Sequence, residues 1–120
     1  MKKTKMLKKN YEFKNVLSKG TYYSGKYIEA FIKKNNSQNI YLGIAVGVKT
    51  SNAVMRNKIK RLIRENYRNI EDKILNGYSI VFLWKKKADT KNANFENIKG
   101  DIKKCFDKAK IIEDNEWKNY

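Results

Sequence analysis

The chain has 120 residues, of which 41% are hydrophobic, which suits a single domain spanning residues 1 to 120 with one modest core. Its formal net charge of +16 at pH 7 predicts a polyanionic partner, for which nucleic acid is the default. Its single cysteine and lack of histidine exclude an internal disulfide and a zinc site, and no apolar run approaches the roughly 18 residues of a membrane span, so we expect a reduced, cytoplasmic setting and no membrane partner.

The amino-terminal residues predict a mobile basic arm followed by a short helix. Residues 1 to 9 include five lysines and few apolar anchors, so we expect this arm to stay mobile until it meets phosphate. Asn10 suits the N-cap of the helix, and Gly20 suits a left-handed residue at its C-terminal end. Phe13 and Leu17 are one turn apart and therefore on the same side of this helix.

Two stretches of alternating hydrophobicity then predict antiparallel strands, joined by a polar turn at residues 34 to 39. The first, residues 26 to 33, has Phe31 on the side opposite its aliphatic residues, where it belongs either to a second small hydrophobic cluster or to a stacking platform for bases. The second, residues 40 to 48, has large aliphatic residues on one side. Its other side allows close packing of a helix or close approach of a nucleic-acid strand, because it is formed by the small residues Gly43, Ala45 and Gly47.

The stretch from Lys49 to Arg68 contains all four arginines of the chain. Wound as a helix at about 100° per residue, it places on one arc the apolar residues Met55, Ile59, Leu62, Ile63 and Ile70. The opposite arc forms what we call the basic ridge, which consists of Arg56, Asn57, Lys60, Arg61, Arg64 and Arg68. A solvated helix face usually alternates charges in sign, whereas only Glu65 interrupts this positive run. Because arginine presents a planar fork of donors that grips phosphate bidentately, we interpret the ridge as a phosphate-binding surface.

The carboxyl-terminal half predicts a turn at residues 76 to 77, a strand at residues 78 to 84 and a last helix capped by Asn94. The three lysines at residues 85 to 87 are equally consistent with a solvated loop and with RNA contact. Residues 113 to 120 form a tail without a predicted role. We expect the order of elements to be helix, three strands, helix, strand, helix, although alternation marks only two of the first three strands, at residues 26 to 33 and 40 to 48. For this α+β fold, the general rule predicts a right-handed β-α-β crossover.

No protein-borne catalytic site can be assembled from these residues. The chain has no histidine to act as a base near neutral pH, its 12 acidic residues are scattered, and it has no glycine-rich phosphate loop. The chain is therefore predicted to bind a nucleic acid and not to catalyse a reaction by itself.

The sequence AVMRNKIKRLIRE, at residues 53 to 65, closely resembles the RNR signature of the bacterial ribonuclease P protein family. An opening helix, LKKNYEFKNVLSKG, and a glycine-bearing strand, LGIAVGVK, precede it in the order expected for that family. The resemblance implies a single-domain α/β sandwich of order α-β-β-β-α-β-α, whose crossover around the basic helix is left-handed. It also implies that a separate RNA subunit holds the active site and its Mg²⁺ ions, while the protein binds that RNA subunit and the 5′ leader of precursor tRNA.

The resemblance also assigns roles to individual residues. The positions that would face the RNA subunit are Lys49, Arg56, Asn57, Lys60, Arg61, Arg64 and Arg68. The cleft that would bind the leader is formed by Phe13, Leu17 and Phe31 over the surface of Gly43, Ala45 and Gly47. The chief alternative is a ribosomal or general RNA-binding protein without a role in nuclease activity. A DNA-binding helix-turn-helix protein is disfavoured, and no DNA partner is expected, because a strand and not a scaffold helix precedes the basic helix.

Overall fold

The computed structural model of the chain describes residues 3 to 113, so residues 114 to 120 of the expected tail lie outside the described part. The described residues form an α+β fold, as predicted, with one five-stranded sheet and three α-helices. In chain order the elements are β1 (Thr4–Met6), α1 (Asn10–Lys19), β2 (Thr21–Ser24), β3 (Ile28–Lys34), β4 (Ile40–Ala45), α2 (Ala53–Ile70), a 3₁₀ turn (Glu71–Lys73), β5 (Tyr78–Trp84), a second 3₁₀ turn (Thr90–Asn92) and α3 (Phe95–Ala109).

The strands lie side by side in the order β1-β4-β5-β3-β2. β1, β4 and β5 are parallel to one another, whereas β3 is antiparallel to both of its neighbours, β5 and β2. The polar turn at residues 34 to 39 therefore joins two strands of opposite direction, but β5 lies between them. β4 and β5 are parallel neighbours connected through α2, which gives the expected β-α-β unit around the basic helix. The left hand of this unit stays a prediction.

Part of the arm that the sequence predicts to be mobile forms an edge strand, and residues 1 and 2 of that arm lie outside the described part. Thr4–Met6 pairs in parallel with β4. The Lys3 ammonium donates to the Ile74 carbonyl at 2.6 Å, and the hydroxyl oxygens of Thr4 and Tyr67 are 2.6 Å apart. All of these partners are distant in sequence, so the lysine-rich local composition carries no sign of the strand.

The core lies between one face of the sheet and the two longer helices, α2 and α3. The sheet contributes the buried residues Ile28, Ala30, Ile32, Ile40, Leu42, Ile80, Phe82 and Trp84. The predicted apolar arc of α2 is confirmed, since Met55 packs against the core and the fully inward residues are Ile59, Leu62, Ile63 and Ile70. Asn66 is buried as well, and its Nδ2 joins the two helices by donating to the Leu62 carbonyl at 3.1 Å and to the Phe95 carbonyl at 3.2 Å.

The helix α1 covers the opposite face of the sheet, with Val16 as its buried residue. The Lys33 ammonium of β3 donates to Asn15 Oδ1 on α1 at 2.7 Å, and the Phe13 ring lies over Gly43 of β4. Both strand positions alternate with core residues and so point away from α2 and α3. The chain is therefore a three-layer arrangement in which the single sheet separates α1 from the other two helices.

The ends of two elements differ from the sequence prediction. The N-cap of α1 is Lys9, one residue earlier than predicted, and Gly20 at its other end has an extended φ of −77° instead of a left-handed one. Space explains the glycine, because an added Cβ would lie 2.5 Å from the Val16 carbonyl oxygen. β4 ends at Ala45, earlier than predicted, and Val48 is 77% exposed in the loop beyond it.

Candidate nucleic-acid interface

The basic ridge lies on the outer face of α2, as the helical period predicts. The helix begins after Asn52, whose Oδ1 accepts a hydrogen bond from the Met55 amide at 2.8 Å, and continues to Ile70. The exposed members of the ridge are Asn57, Arg61 and Arg68, and the half-buried members are Arg56, Lys60 and Arg64. The helix thus separates an apolar side, which is held by the core, from a cationic side that faces solvent.

Within the described part of the chain, the ridge retains its positive charge. Arg61 Nε lies 3.8 Å from Glu65 Oε1, and the two side chains are 59% and 45% exposed, so water screens this pair and it contributes little to stability. Lys60, Arg64 and Arg68 form no ion pair with any residue from 3 to 113. These three cations are available to bind phosphate.

Arg56 differs from the other ridge cations because its guanidinium also folds back onto the chain. Its Nη1 donates to the Val48 carbonyl at 2.9 Å and also to the Ser51 carbonyl. These contacts fasten the loop that leads into α2 and that carries the exposed Lys49. The helical period assigns Arg56 to the ridge, and it contains no signal for this second role.

The residues of the predicted cleft come together in part. The Phe13 ring lies so close to Gly43 that an added Cβ would be 2.6 Å from Phe13 Cε1, so this small residue allows close packing of α1. Gly43 and Phe31 both pair with Val81 and therefore lie in one row across the sheet, and Leu17 follows Phe13 by one turn of α1. We call the surface formed by Phe13, Leu17, Phe31 and Gly43 the α1 cleft.

Ala45 and Gly47 follow Gly43 along the chain, one at the end of β4 and one beyond it. Ala45 pairs with Leu83 of β5, one row beyond Gly43 on the same face of the sheet. Gly47 lies beyond the end of β4 and lines a separate cavity of about 440 Å³ that also contacts Lys49 and Lys86. Gly47 is thus not on the strand surface below α1, because β4 ends at Ala45, and its place in the leader-binding cleft stays a prediction.

Tyr22 of β2 extends the aromatic surface, although sequence reasoning did not select it. Its ring centroid is 5.2 Å from that of Phe31, and the side chain is 49% exposed. The Tyr22 hydroxyl donates to Glu29 Oε2 at 2.6 Å, and this hydrogen bond raises the pKa of the tyrosine. A cavity of about 310 Å³ lies between this pair and the lysine loop of residues 85 to 87. The short stretch around Tyr22 shows no clear alternation, which is why it was missed.

A buried carboxylate holds the β2–β3 turn, and with it this aromatic surface. Asp101 of α3 is 6% exposed, and its Oδ1 accepts from the Lys26 amide at 2.9 Å. Its Oδ2 accepts from the amides of Tyr27 at 2.7 Å and Ile28 at 3.0 Å. Gly25 approaches so closely that an added Cβ would lie 2.5 Å from Asp101 Cγ. The sequence gives only one indication of this contact, which is that the acidic residue lies at the edge of the apolar stripe of α3.

The remaining chemistry of the described residues is sparse. From residue 3 to residue 113, no group of three or more His, Cys, Asp or Glu side chains is placed to hold a metal ion. No helix in that range is long and apolar enough to cross a membrane. Cys105 is buried in the core, and its burial raises the pKa of the thiol to about 11, as expected for a packing residue.

Comparison with known proteins shows similarity along most of the chain. The family model named Ribonuclease P matches residues 1–110. The ribonuclease P protein component of Clostridioides difficile is 39% identical over 110 residues, which cover 91% of this chain and 95% of that protein. The protein of the same name from Fusobacterium nucleatum is 36% identical over 108 residues, which cover 88% of this chain and 97% of the relative.

Solved structures show the same fold. The RNase P protein of Staphylococcus aureus superposes with a TM-score of 0.78 at 30% identity, covering 89% of this chain and 96% of that one. The RNase P protein of Thermotoga maritima superposes with a TM-score of 0.72 at 27% identity, covering 82% of this chain and 91% of that one. The family match includes the whole of α2 and its basic ridge, and we conclude that this chain belongs to the ribonuclease P protein family.

Proposed function

We propose that this chain binds the RNA subunit of ribonuclease P through the basic ridge and binds the 5′ leader of precursor tRNA through the α1 cleft. In this way it assists the endonucleolytic removal of the leader that gives the mature tRNA 5′ end. Membership of the family makes the chain the protein component of this tRNA-processing endoribonuclease. The two binding surfaces and their division of labour are our inference from the geometry.

The observation that carries the proposal is the outward-facing ridge. Lys60, Arg64 and Arg68 are not neutralised by any described acidic residue, and all three lie on one side of a helix whose other side is buried. Such an array of cations can neutralise several backbone phosphates and gives little base discrimination. A structured RNA that is recognised by shape suits this surface.

The α1 cleft supports a different kind of RNA ligand. The half-buried Phe31 adjoins the exposed ring of Tyr22, and the lysine loop of residues 85 to 87 borders this surface. Aromatic rings next to cations are typical of sites for single-stranded nucleic acid, whose bases stack on the rings while its phosphates meet the cations. A leader is single-stranded, whereas the body of a tRNA is mostly helical, so we assign the cleft to the leader.

Catalysis is assigned to the RNA subunit. The chain has no histidine, and the described residues offer no cluster of metal ligands. A phosphodiester hydrolysis assisted by Mg²⁺ needs ligands that hold the metal and orient the water, so we propose that the Mg²⁺ ions are held mainly by RNA. The protein without RNA should yield no mature 5′ end from precursor tRNA, and turnover that survives removal of all contaminating RNA would contradict this assignment.

The ridge is tested by replacing Lys60, Arg64 and Arg68 with alanine together. Arg56 is left intact because it also fastens a loop. The matched control replaces three exposed lysines elsewhere, Lys19, Lys104 and Lys108. Both triple variants lose three positive charges, but only the ridge variant should greatly weaken binding to the RNA subunit. It should also lower the slope of log affinity against log salt concentration by the amount expected for about three lost phosphate contacts. Equal losses in the two variants would show that net charge alone matters.

The cleft is tested in the assembled enzyme with Phe31→Ala. If a base stacks there, affinity for precursor tRNA that bears a leader should fall by about 1 to 3 kcal/mol, while affinity for mature tRNA stays almost unchanged. Circular dichroism checks that the variant is folded. Equal losses for both substrates would mean that Phe31 only packs against its neighbours. If the parent protein bound ribosomal RNA as tightly as the ribonuclease P RNA subunit, the alternative of a general RNA-binding protein would be favoured.

A further inference from the structure

A second groove lies on the other flank of α1 from the α1 cleft. It has a volume of about 530 Å³, and its α1 wall includes Tyr11, Lys14 and Asn15 but neither Phe13 nor Leu17. At about 100° per residue, Tyr11 and Asn15 point to the side of the helix away from Phe13 and Leu17, and Lys14 lies between the two sides. The groove therefore does not include the residues of the α1 cleft, and the proposed function does not use it.

The floor of the second groove is a row of polar side chains across the sheet. Ser79 of β5 pairs with Lys33 of β3 on one side and with Tyr41 of β4 on the other, and all three line the groove. The Lys33 ammonium is positioned by its hydrogen bond of 2.7 Å to Asn15 Oδ1. Among the described residues, the Tyr41 hydroxyl has no hydrogen-bond partner. The floor therefore presents a held ammonium and an unused hydroxyl to any ligand.

The charge of the groove is positive, although an acidic residue lines it. Glu12 Oε1 accepts hydrogen bonds from the backbone amides of Lys8 at 3.2 Å and Lys9 at 2.9 Å, so this carboxylate is committed to the N-terminal end of α1, where the helix dipole also favours it. Lys14 and Lys33 are not offset by a second acidic side chain in the lining. An anionic ligand fits this balance better than a neutral or cationic one.

The mouth of the groove carries an exposed aromatic ring. Tyr11 is 67% exposed, and the Lys9 ammonium lies 5.7 Å from its ring centroid. A large exposed ring beside lysines is suited to stack an unpaired base while the cations meet its phosphate. The volume also falls within the range of roughly 300 to 1,000 Å³ that is typical of small-ligand sites.

We propose that this groove is a second nucleotide-binding site, which takes an unpaired nucleotide of RNA with its base against Tyr11 and its phosphate at Lys14 and Lys33. The nucleotide comes either from precursor tRNA or from the RNA subunit, since both supply the same chemistry. The site builds on the RNA-binding role of the chain but does not depend on the assignment of the α1 cleft to the leader. Its consequence is that α1 contacts RNA along both flanks.

The first test is a titration of the free protein with adenosine 5′-monophosphate, followed by ¹H–¹⁵N NMR. The amide signals of Lys33, Tyr41 and Ser79 should shift, and the double variant Tyr11→Ala/Lys14→Ala should weaken binding by about tenfold. Both substituted side chains are exposed, so the fold should be retained, which the NMR spectrum itself checks. Shifts confined to the ridge or the α1 cleft, or equal shifts with inorganic phosphate alone, would overturn the proposal.

Three control variants keep this test specific. Lys19→Ala removes one charge from the same helix at an exposed position outside the groove lining, and Tyr11→Phe keeps the ring while it removes the hydroxyl. Both should bind the nucleotide as the parent does. Phe31→Ala removes a ring of the α1 cleft, so it is read only at the amides of the second groove: the nucleotide-induced shifts of Lys33, Tyr41 and Ser79 should persist at the same nucleotide concentration. If these shifts weaken, the two sites are not separate and the proposal fails even where the assignment of the α1 cleft stands.

The source of the nucleotide is identified in the assembled enzyme. A photo-crosslinking amino acid placed at position 11 is irradiated in the presence of precursor tRNA, and the crosslinked nucleotide is mapped. A crosslink to precursor tRNA or to the RNA subunit supports the site and names its ligand. The same probe at position 31 serves as the positive control. If position 31 gives a crosslink and position 11 gives none to either RNA, the proposal is overturned.

Discussion

The hydrogen bonds of Asp101 predict that this carboxylate on α3 holds the β2–β3 turn, and with it the strand that carries Phe31 of the α1 cleft. Asp101 accepts from the backbone amides of three consecutive residues at the β2–β3 turn, Lys26, Tyr27 and Ile28. Replacing Asp101 by alanine leaves these donors without a partner, and replacing it by asparagine puts a second donor where an acceptor is needed. The perturbation is therefore electrostatic and changes little volume in the asparagine variant.

The expected magnitude follows from the burial of each donor. The Ile28 amide is buried and the other two are part-buried, so the first loses its only partner while water can reach the others. An unsatisfied buried donor costs about 1 to 3 kcal/mol, and a lost bond that water replaces costs about 1 kcal/mol. Asp101→Ala should then lower the free energy of unfolding by about 3 to 5 kcal/mol, and its thermal midpoint by about 10 to 20 °C.

Urea unfolding followed by circular dichroism measures this effect. Asp101→Asn should lose a smaller but clear part of the stability, and Glu96→Gln, at an exposed position in the first turn of the same helix, should change it by less than about 1 kcal/mol. In the assembled enzyme, Asp101→Asn should also weaken binding of leader-bearing substrate, because the turn carries β2 and β3 into the cleft. Unfolding of both Asp101 variants at the same urea concentration as the parent would refute the reasoning.

Three further predictions follow from individual contacts. Gly43→Ala should cost about 1 to 3 kcal/mol of stability through overpacking against Phe13, and Phe13→Leu in the same chain should recover part of that loss in urea unfolding; simple additivity of the two changes would contradict the contact. Burial raises the pKa of the Cys105 thiol from 9.0 to about 11. The stability that the protonated thiol contributes is therefore complete below about pH 9 and is lost as the pH rises to about 11. Urea unfolding across that interval should show a fall in the free energy of unfolding that Cys105→Ala lacks. Arg56→Lys keeps the charge but lacks the guanidinium that donates to the loop carbonyls, so hydrogen exchange of the Thr50 amide should accelerate in the free protein. Arg64→Lys should leave that exchange rate unchanged. Equal exchange rates in both variants would contradict the role of Arg56 in holding the loop.

The sequence by itself determined the features that depend on local geometry. The angle between successive side chains is set by the helix or strand itself, so the period shows which residues point inward without knowledge of the partner. For this reason the limits of β5, the buried stripe of α2 and its cationic outer face were all predicted correctly. The cap of α3 was predicted for the same reason, since Asn94 Oδ1 accepts from the Asn97 amide a few residues away at 2.9 Å. The signature within α2 indicated the family because it is contiguous in the chain.

Only the tertiary structure decided which strands are neighbours and which polar side chains serve the protein itself. β5 lies between β3 and β4, and β1 pairs with the outer edge of β4. No local sequence pattern indicates which of these strands are neighbours. Asp101 accepts hydrogen bonds from backbone amides 73 to 75 positions away. Arg56 donates to two backbone carbonyls of the preceding loop, in addition to lying on the basic ridge. Backbone groups that folding removes from water need a partner, and which side chain supplies it depends on how distant segments meet in space.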